Sequence, residues 1–459
     1  MENHPLATVI LAAGKGTRMK SERPKVLHPL AGRPLVAYPL QLARELGSEK
    51  NVLVIGHGAE QVREQFTRDD VVFAIQKQQL GTGHAVQIAA TQLSGFQGTI
   101  LLLCGDVPLL RRQTLEQLLA DHRKARATVT VLTAIVGDAT GYGRIVRDNG
   151  TIARIVEHKD ATPEQRAINE INTGIYALEA PRCFELLAQL DNHNAQGEYY
   201  LTDIITLARG QGEPVATASL ENIEESMGIN DRLQLAEAAR ILRTRINRAH
   251  MLAGVTLEDP LTTYIDIDVV IGADSCLQPG VHLRGTTRIG RHCRIETGAV
   301  LLDCEVGDHC HIKAGSALEE STLGEKVTVG PMAHLRPGTQ LAGHNKIGNF
   351  VETKKAVIGL RSQASHLSYI GDAELGCDIN IGCGTITCNY DGVNKHKTVI
   401  EDGVFVGSDT QFVAPVTIGR NSLIGAGSTI TKDVPADALA LARTPQKVIE
   451  GWCKNRKKK

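Results

Sequence analysis

From Ile271 onward, the C-terminal half of the chain carries an aliphatic residue at about every sixth position, often followed by glycine. A period of about six fits one short strand plus one corner, so three repeats close one coil of a parallel β-helix with the aliphatic side chains stacked inward. This period disfavours helical arrays, whose repeats fall near 3.6 or 7. Two uninterrupted runs are Ile271, Leu277, Leu283, Ile289, Ile295 and Leu301, and Ile400, Val406, Phe412, Ile418, Ile424 and Ile430.

Between these runs the register changes in small steps. It slips by one residue at Val306, recovers through Ile312 and Leu318, and slips again at Leu323. We interpret the slips as turns of variable length. The alternative is ordinary short strands in a sandwich, which so long a run of hexads disfavours. Periodicity does not give the hand of the coil, and the general rule for parallel crossovers favours a right-handed one.

Length and charge limit the remaining possibilities. A chain of 459 residues with 42% hydrophobic residues suggests two or three domains, and its net charge of −1 gives no reason to expect a nucleic-acid partner. No apolar run could insert into a membrane and no segment resembles a signal peptide, so we expect a cytoplasmic protein. The basic residues 457–459 are interpreted as a solvated end. The ten cysteines form no C-x-x-C pair, which favours free, mostly buried thiols over zinc ligands or disulfides.

The N-terminal half has a different pattern. Apolar runs at residues 8–11, 51–55, 71–75 and 99–103 are separated by segments long enough for helices. This alternation predicts an α/β domain with a largely parallel sheet, in which ligands bind beyond the carboxyl ends of the strands. Motifs at those ends are therefore the first candidates for a site.

The first strand end is a glycine-rich loop. Residues 11–19 read Leu-Ala-Ala-Gly-Lys-Gly-Thr-Arg-Met, and Pro24 and Lys25 follow. Gly14 and Gly16 allow backbone N–H groups to approach phosphate oxygens, and Arg18 and Lys25 can balance the charge of a triphosphate. The loop matches neither the dinucleotide-binding pattern nor the Walker A pattern. A glycine loop alone is weak evidence, but with both cations it predicts nucleotide binding.

This loop resembles the signature of the sugar-phosphate nucleotidyltransferases. Five further segments resemble that family's uracil-binding, metal-binding and sugar-binding segments: residues 76–85, 104–109, 141–144, 157–160 and 171–174. Together with the hexads, the chain from about residue 7 to its end resembles the bacterial bifunctional N-acetylglucosamine-1-phosphate uridyltransferases and glucosamine-1-phosphate acetyltransferases. The resemblance implies a Rossmann-like nucleotidyltransferase domain joined by a long helix to a left-handed β-helix.

The resemblance assigns roles in the first reaction, in which UTP and N-acetylglucosamine 1-phosphate give UDP-N-acetylglucosamine and pyrophosphate. Asp106 follows an apolar strand and could be a turn or capping residue, but its Gly-Asp-Val-Pro context favours a Mg²⁺ ligand, with Asn230 as the second. The attacking phosphate is already ionised, so positioning and charge neutralisation by Arg18 and Lys25 must supply the rate. The implied nucleotide-binding residues are Leu11, Ala12, Gly14, Lys25, Gln76, Gly81 and Thr82. The implied sugar-binding residues are Gly141, Glu157, Asn172 and Asn230.

Residues 231–252 have the apolar spacing of one long helix. We therefore expect a uridyltransferase domain at residues 1–230, a helical linker at 231–252 and an acetyltransferase domain at 253–459. Within the last domain, polar chemistry must come from breaks in the hexads, because a regular coil buries its aliphatic residues. Two breaks cover residues 352–369 and 389–397.

The resemblance places the acetyltransferase site at these breaks. N-acetylation of glucosamine 1-phosphate by acetyl-CoA requires an unprotonated amine, and the imidazole of His366 can take that proton. Glu352 is expected to orient His366. The implied sugar-phosphate residues, whose cationic and hydrogen-bonding side chains suit a phosphate, are Arg336, Lys354, Tyr369, Asn380 and Lys395. The implied acetyl-CoA residues are Cys383, Asn389, Tyr390, Ser408, Ala426 and Arg443.

Cys383 departs from the family pattern, which usually has alanine at this position. A backbone N–H donor to the thioester oxygen survives the change, but the larger thiol affects the local fit and the sensitivity to oxidation. The family also implies a homotrimer whose acetyl-CoA site is shared between subunits. Two rival hypotheses remain open at this point: a nucleotidyltransferase whose β-helix only regulates or oligomerises, and a non-catalytic scaffold with a vestigial nucleotide domain.

Overall fold

The computed structural model describes residues 4–66 and 70–455, so the basic residues 457–459 lie outside the described residues. The chain forms two compact units, Met1–Leu242 and Arg243–Lys459. The division falls within the helix Arg232–Leu252. The predicted domain boundaries at residues 230 and 253 stay a prediction.

The first unit is built on a mixed sheet of nine strands within its described residues. The strands are β1 Leu6–Ala12, β2 Lys50–Ile55, β3 Val71–Ile75, β4 Gly98–Cys104, β5 Val129–Ile135, β6 Arg144–Asp148, β7 Thr151–Val156, β8 Glu170–Ala180 and β9 Val215–Ser219. The order across the sheet is β9-β5-β8-β4-β1-β2-β3, with β6 and β7 forming a hairpin paired to β8. The central neighbours β4, β1, β2 and β3 are parallel, whereas β8 runs antiparallel to β4 and β5.

Helices cover both faces of this sheet. Adjacent residues Val9 and Ile10 point to opposite faces and belong to two separate apolar clusters. The helices are α1 Ala37–Glu45, α2 Ala59–Gln65, α3 Thr82–Gln92, α4 Arg112–Ala125, α5 Pro163–Arg166, α6 Arg182–Leu187 and α7 Ile204–Gly210. Helices α3, α6 and α7 pack on the sheet in one cluster, and α1, α2 and α4 pack on it in the other. Short 3₁₀ turns lie at Thr17–Met19, Lys25–Leu27, Leu201–Asp203 and Ile223–Ser226.

The predicted α/β unit with a largely parallel central sheet is therefore confirmed. The four apolar runs all form strands, although β3 is only partly buried because it lies at the edge of the sheet. A short antiparallel ribbon joins Pro29–Leu30 to Arg33–Pro34. The carboxyl ends of β1, β3 and β4 meet at one edge of the sheet, where the glycine-rich loop leaves β1.

The second unit is a parallel β-helix, as the hexads predict. Each short strand pairs with the third strand after it, so three strands make one coil. The left-handed sense stays a prediction from the family. The strands are Thr256–Leu257, Tyr264–Ile265, Val270–Ile271, Cys276–Leu277, His282–Arg284, Arg288–Ile289, Arg294–Ile295, Val300–Leu302, Glu305–Val306, His311–Ile312, Ala317–Glu319, Thr322–Leu323, Thr328–Val329, His334–Leu335, Gln340–Leu341, Lys346–Ile358, Gln363–Leu375, Asn380–Ile381, Ile386–Cys388, Thr398–Ile400, Phe405–Val406, Gln411–Val413, Val416–Ile418, Leu423–Ile424, Thr429–Ile430 and Leu439–Ala440.

Every aliphatic residue of the two uninterrupted hexad runs is buried in the lumen of this coil. The slips are changes in coil length. Val270 pairs with Arg288, whereas Arg288 pairs with Glu305 rather than with Val306, where a coil of equal length would end. A shortened corner therefore removes one residue without moving the inward position, because the aliphatic side chain stays over the one below it.

One coil is expanded by a loop. Gln363 pairs with Asn380, and Asn380 pairs with Phe405, so the second of these coils is longer than the first by the residues of an insertion. The inserted loop includes a turn closed by an isolated bridge between Tyr390 and Lys395. The preceding coils contain the two longest strands, Lys346–Ile358 and Gln363–Leu375, which pair along most of their length. The predicted break at residues 389–397 is thus an inserted loop, whereas residues 352–369 continue the coil at a regular spacing, with Thr353 buried where the hexads predict an aliphatic residue.

The predicted long helix is α8, Arg232–Leu252. Asp231 precedes it and its Oδ1 accepts a hydrogen bond from the Gln234 backbone N–H at 2.9 Å, which caps the first turn. Residues Ala238, Ile241, Leu242 and Ile246 are buried. In the second unit the guanidinium of Arg243 lies 4.8 Å from the centre of the Tyr264 ring, so this arginine packs on an aromatic ring.

All ten cysteines are free, as predicted, but only four are fully buried and Cys383 and Cys453 are exposed. No helix within the described ranges is both long and apolar enough to cross a membrane. The remaining 3₁₀ turn is Trp452–Asn455.

Candidate active sites

A cavity of about 310 Å³ opens at the carboxyl edge of the first unit's sheet. All seven residues predicted to bind the nucleotide line it, together with Asp106 and Cys104 at the end of β4. Ala12, Ala13 and Gln76 are buried in its wall. The full lining is Leu11, Ala12, Ala13, Gly14, Lys25, Val26, Gln76, Gln79, Gly81, Thr82, Ala85, Cys104, Asp106 and Glu198.

The glycine-rich loop is packed against the segment that carries Lys25. Gly16 adopts a left-handed conformation with φ of 61°, and a Cβ atom there would lie 2.6 Å from Cβ of Lys25. Any side chain at position 16 would thus push Lys25 away. By contrast, a Cβ on Gly14 would meet nothing within 4 Å, so that glycine leaves its backbone open to the cavity. The two glycines therefore have different roles, one in packing and one in access.

Lys25, Asp106 and Asn230 come together at this cavity from distant parts of the chain. The Lys25 ammonium donates hydrogen bonds to Asp106 Oδ2 and to Asn230 Oδ1, the latter at 3.2 Å. The Ile229 backbone N–H also donates to the Asp106 carbonyl at 2.9 Å, which ties the two segments together. Only 13% of the Lys25 side chain and 22% of the Asp106 side chain are exposed. The two predicted metal ligands are thus held side by side.

The donor set fits a magnesium ion that receives most of its ligands from a substrate. Carboxylate and carboxamide oxygens are ligands that Mg²⁺ accepts, usually one or two from the protein with phosphate oxygens and water completing the shell. The described residues contain no cluster of three or more His, Cys, Asp or Glu side chains that could hold a metal alone. Asp106 and Asn230 therefore suit a metal that enters with a nucleotide.

The end of the cavity predicted to bind the base is ordered by hydrogen bonds around Gln76. Its Nε2 donates to the Gly81 carbonyl at 3.1 Å and lies 3.2 Å from Nδ1 of His84. Gly81 has φ of 108°, and a Cβ there would lie 2.6 Å from the Tyr199 carbonyl, so only glycine fits. The Thr82 hydroxyl accepts a hydrogen bond from the Leu201 backbone N–H at 3.3 Å. These bonds fix the start of α3.

Glu157 and Asn172 meet across Gly143. A Cβ on Gly143 would lie 3.5 Å from both Glu157 Oε1 and Asn172 Cβ. Burial raises the pKa of Glu157, and the neighbouring carboxylates add to that rise despite a hydrogen bond from the Thr202 hydroxyl at 3.2 Å. Burial likewise raises the pKa of Cys104 to about 12, so its thiol is neutral. Glu157 and Asn172, both predicted to bind the sugar, thus present a carboxyl group and a carboxamide close together.

Five residues predicted for this site are not part of the cavity lining: Glu157, Asn172 and Asn230, described above, and also Arg18 and Gly141. Arg18 is exposed on the turn Thr17–Met19. Gly141 is also exposed and has φ of 86°, which places it in a turn before β6. Their proposed contacts therefore depend on bound substrate rather than on the walls of the cavity.

In the second unit, His366 belongs to a column of corner residues on the surface of the coil. Successive backbone hydrogen bonds link the corners: Gly384 N–H to the Leu367 carbonyl at 2.8 Å, Asp409 N–H to the Cys383 carbonyl at 2.7 Å and Gly427 N–H to the Ser408 carbonyl at 2.8 Å. Asn349 belongs to the same column, because it pairs with His366 in the preceding coil. The column is Asn349, His366, Cys383, Ser408 and Ala426, and four of the five were predicted from the sequence.

The hydrogen-bond partner of His366 differs from the predicted one. His366 Nδ1 lies 2.8 Å from Asn349 Oδ1, whereas Glu352 accepts a hydrogen bond from Arg336 Nη1 at 2.8 Å. The pairing of the long strands is the cause, because Asn349 faces His366 and Glu352 faces Tyr369. Sequence reasoning missed Asn349. Asn349 precedes His366 by the length of one coil, so counting back along the sequence by that length would have identified it.

The second unit also carries a cluster of three cations. Arg336, Lys354 and Lys395 approach from three parts of the chain, and Lys395 is carried there by the inserted loop. The neighbouring ammonium of Lys395 lowers the pKa of Lys354, and Arg336 adds to that effect. The Glu352 carboxylate raises the pKa of Arg336. Like charges held this close favour an anion between them.

The residues predicted to contact acetyl-CoA are mostly on the open surface. Arg443 Nη1 donates to the Ala426 carbonyl at 2.7 Å, and Tyr390 Oη donates to the Gly392 carbonyl at 2.6 Å. Asn389 is buried and donates to Asp372 Oδ2 at 2.5 Å. Asn380, which was predicted to bind the sugar phosphate, accepts a hydrogen bond through its Oδ1 from Gln363 Nε2 at 3.2 Å. A larger groove of about 700 Å³ elsewhere on this coil is lined by none of the predicted site residues.

Comparison with known proteins covers both units. Residues 7–223 match the nucleotidyl transferase family model, and residues 397–432 match the bacterial transferase hexapeptide model with six repeats. The bifunctional protein GlmU of Syntrophotalea carbinolica is 62% identical over 99% of this chain and 100% of its own length. The bifunctional protein GlmU of Pelobacter propionicus is 58% identical over the whole of both chains. That of Listeria monocytogenes is 49% identical over 97% of this chain and 98% of its own.

Proposed function

This chain belongs to the GlmU family and is a bifunctional transferase of UDP-N-acetylglucosamine synthesis, and we propose that each of its two units holds one of the two active sites. The β-helix acetylates glucosamine 1-phosphate with acetyl-CoA. The N-terminal unit then transfers uridylyl from UTP to N-acetylglucosamine 1-phosphate and releases pyrophosphate. The observation that carries the assignment is that Lys25 contacts both Asp106 and Asn230, where Lys25 and Asp106 lie on the wall of a cavity lined by all seven predicted nucleotide residues.

In the uridyltransferase site, the phosphate of the acetylated sugar attacks the α-phosphorus of UTP, and the bond to pyrophosphate breaks. The attacking oxygen is ionised near neutral pH, so the residues supply position and positive charge rather than a base. Lys25 is well placed for this role because it is only 13% exposed, which limits screening of its charge by water. Arg18, on the exposed turn, adds a second cation as the triphosphate enters.

This family's nucleotidyl transfer depends on a divalent metal, and we propose that the ion is Mg²⁺ held by Asp106 and Asn230. When bound, it neutralises charge on the triphosphate and the departing pyrophosphate. Lys25 donates to both ligand side chains, so it keeps their oxygens converged. Glu157 and Asn172 hold hydroxyls of the acetylated sugar together with Gly141.

In the acetyltransferase site, His366 acts as the general base. The Asn349 carboxamide oxygen accepts a hydrogen bond from His366 Nδ1, which leaves Nε2 with the lone pair. Nε2 takes a proton as the sugar amine attacks the thioester carbonyl, and the tetrahedral intermediate then collapses to the amide and CoA thiolate. The backbone N–H of Cys383 stabilises the oxyanion, and its thiol is not the nucleophile.

Arg336, Lys354 and Lys395 hold the phosphate of glucosamine 1-phosphate, with Tyr369 and Asn380 beside them. Asn389, Tyr390, Ser408, Ala426 and Arg443 contact acetyl-CoA. Because most of these side chains are exposed in one chain, we propose that a second copy encloses the site within a homotrimer. UTP and acetyl-CoA are cytosolic metabolites, so we propose a cytoplasmic location.

The test is to incubate the pure protein with glucosamine 1-phosphate, acetyl-CoA, UTP and Mg²⁺ and to follow CoA thiol and pyrophosphate separately. We expect His366→Ala to abolish thiol release, and to retain pyrophosphate release when N-acetylglucosamine 1-phosphate is supplied. Asp106→Ala should do the reverse. If the wild-type protein releases pyrophosphate but never thiol, the β-helix is a scaffold and its assignment fails.

A further inference from the structure

Gly371 lies directly beneath the ring of Tyr369. Residues two apart on a strand point to the same face, and the Tyr369 side chain folds along its own strand over the glycine. A Cβ atom at position 371 would lie 2.6 Å from Cζ and 2.7 Å from Cε1 of Tyr369, and closer still to Oη. Real Cβ atoms do not approach other atoms this closely, so any side chain here must displace the tyrosine ring.

Backbone geometry does not require glycine at this position. Gly371 is not in the left-handed region; the next residue, Asp372, is, with φ of 46°. Gly371 pairs with Lys354 in the neighbouring coil and donates its N–H to Thr387 Oγ1 at 2.7 Å. Any residue except proline could make those backbone bonds. The strand thus uses an ordinary residue at the strained position and glycine at the unstrained one, which indicates that the glycine serves to leave space.

The space left by the missing side chain of Gly371 lies next to the cation cluster. Gly371 stands in the same row of the coil as Lys354, and Arg336 stands one coil further along. The ring that covers Gly371 therefore carries the Tyr369 hydroxyl toward the row that holds these cations. With an alanine at position 371, the hydroxyl could not occupy this place.

We infer that Gly371 is a positioning residue for the sugar-phosphate site: its missing side chain admits the Tyr369 hydroxyl to the cluster of Arg336, Lys354 and Lys395, where it donates to the substrate phosphate. This inference rests on the proposed acetyltransferase function. It assigns part of the preference for a phosphorylated sugar to a residue that never touches the substrate.

The experiment compares Gly371→Ala, Tyr369→Ala and the double variant. A hydrogen bond to a charged group accounts for roughly a ten- to hundredfold change in binding. We expect Gly371→Ala to raise KM for glucosamine 1-phosphate by about that factor, while KM for acetyl-CoA and the rate of pyrophosphate release from UTP stay at wild-type values. Tyr369→Ala should raise the same KM, and the double variant should lose no more than Tyr369→Ala alone.

The matched control is Gly210→Ala at the end of α7, where a Cβ meets nothing within 4 Å and φ is not positive. It should leave all of these constants unchanged. An unchanged KM for glucosamine 1-phosphate in Gly371→Ala would overturn the inference. So would a double variant whose losses multiply, because the glycine would then act independently of Tyr369.

Folding of the variants is checked by thermal melting. If Gly371→Ala is destabilised, the inference requires the double variant to melt at the temperature of Tyr369→Ala alone, since removing the ring removes the clash. A double variant that melts well below Tyr369→Ala overturns it. Failure of the proposed function is distinct from these outcomes, because the wild-type protein would then release no CoA thiol with glucosamine 1-phosphate.

Discussion

The two sites of this protein differ in how they exclude water. The proposed nucleotide site is a cavity at a sheet edge, where the Lys25 side chain is 13% exposed. The residues proposed for acetyl transfer lie on the outer face of a coil, where the Arg336 and Glu352 side chains are 38% and 40% exposed. A sheet edge encloses a ligand because strands and loops from distant segments meet there. A coil presents its residues in columns on its surface, so one chain covers a bound ligand on one side only.

This difference has an electrostatic consequence. A charge in an enclosed, low-dielectric site acts more strongly on a substrate than the same charge at an open surface. Each cation of the cavity should therefore contribute more than each cation of the coil. The difference would disappear if a second copy of the chain closed the coil site as tightly as the cavity is closed.

The largest effect is expected for Lys25→Met. Loss of one preorganised charge in an enclosed site lowers the rate by about a hundred- to a thousandfold, measured as pyrophosphate release, and thiol release should not change. Arg336→Met should raise KM for glucosamine 1-phosphate by only about tenfold. Lys124→Met, at an exposed helix end, is the control for both. Equal losses at Lys25 and Arg336 would contradict the comparison.

The next effect concerns the orientation of His366. Asn349→Leu removes the acceptor for Nδ1, and we expect the kcat of acetylation to fall by roughly five- to tenfold, the value of about one hydrogen bond. Asn349→Asp keeps an acceptor and adds a negative charge, which raises the pKa of the imidazole and moves the acidic limb of the pH–rate profile to higher pH. If leucine and aspartate variants behave alike, the hydrogen bond has no positioning role.

A smaller effect concerns the pH dependence of phosphate binding. The Lys395 ammonium lowers the pKa of Lys354, so the charge of Lys354 is lost at a lower pH than that of an isolated lysine. We expect the affinity for glucosamine 1-phosphate, measured by calorimetry, to fall as pH rises into that range. In Lys395→Met the affinity should be lower throughout, but its fall should move to higher pH. If the pH at which the affinity falls is the same in Lys395→Met and in the wild-type protein, the two ammonium groups do not interact.

The smallest effect is on stability and involves Glu157. Its pKa is raised in the folded protein because of burial, so the folded state binds this proton more tightly than the unfolded state. Stability contributed by the protonated form is therefore lost as pH rises from the ordinary carboxyl pKa through the raised value. Glu157→Gln should remove this loss and raise the melting temperature at neutral pH by a few degrees. The conversion is roughly two to four °C for each kcal/mol of unfolding free energy. A drop in melting temperature would mean that the charge is stabilising.

Much of the fold could be read from the sequence because the signals are local. An inward residue at every sixth position specifies a strand and a corner wherever it occurs, and Leu277, Val329 and Val406 are buried accordingly. The glycine-rich loop at the end of β1 is equally local, since glycine at position 16 is dictated by its own backbone and its contact with Lys25. Such patterns depend on neighbours along the chain.

The tertiary structure decided which distant residues meet. Lys25 contacts Asp106 and Asn230, which are 81 and 205 residues away, because strand order brings their loops to one edge. Asn349 rather than Glu352 faces His366 because the length of the coil between them sets this register. A change of a single residue in one corner would give His366 another neighbour. Local periodicity buries the aliphatic residues for several corner lengths, so it determines the coil, whereas the pairing of polar residues between coils follows from the corner lengths themselves.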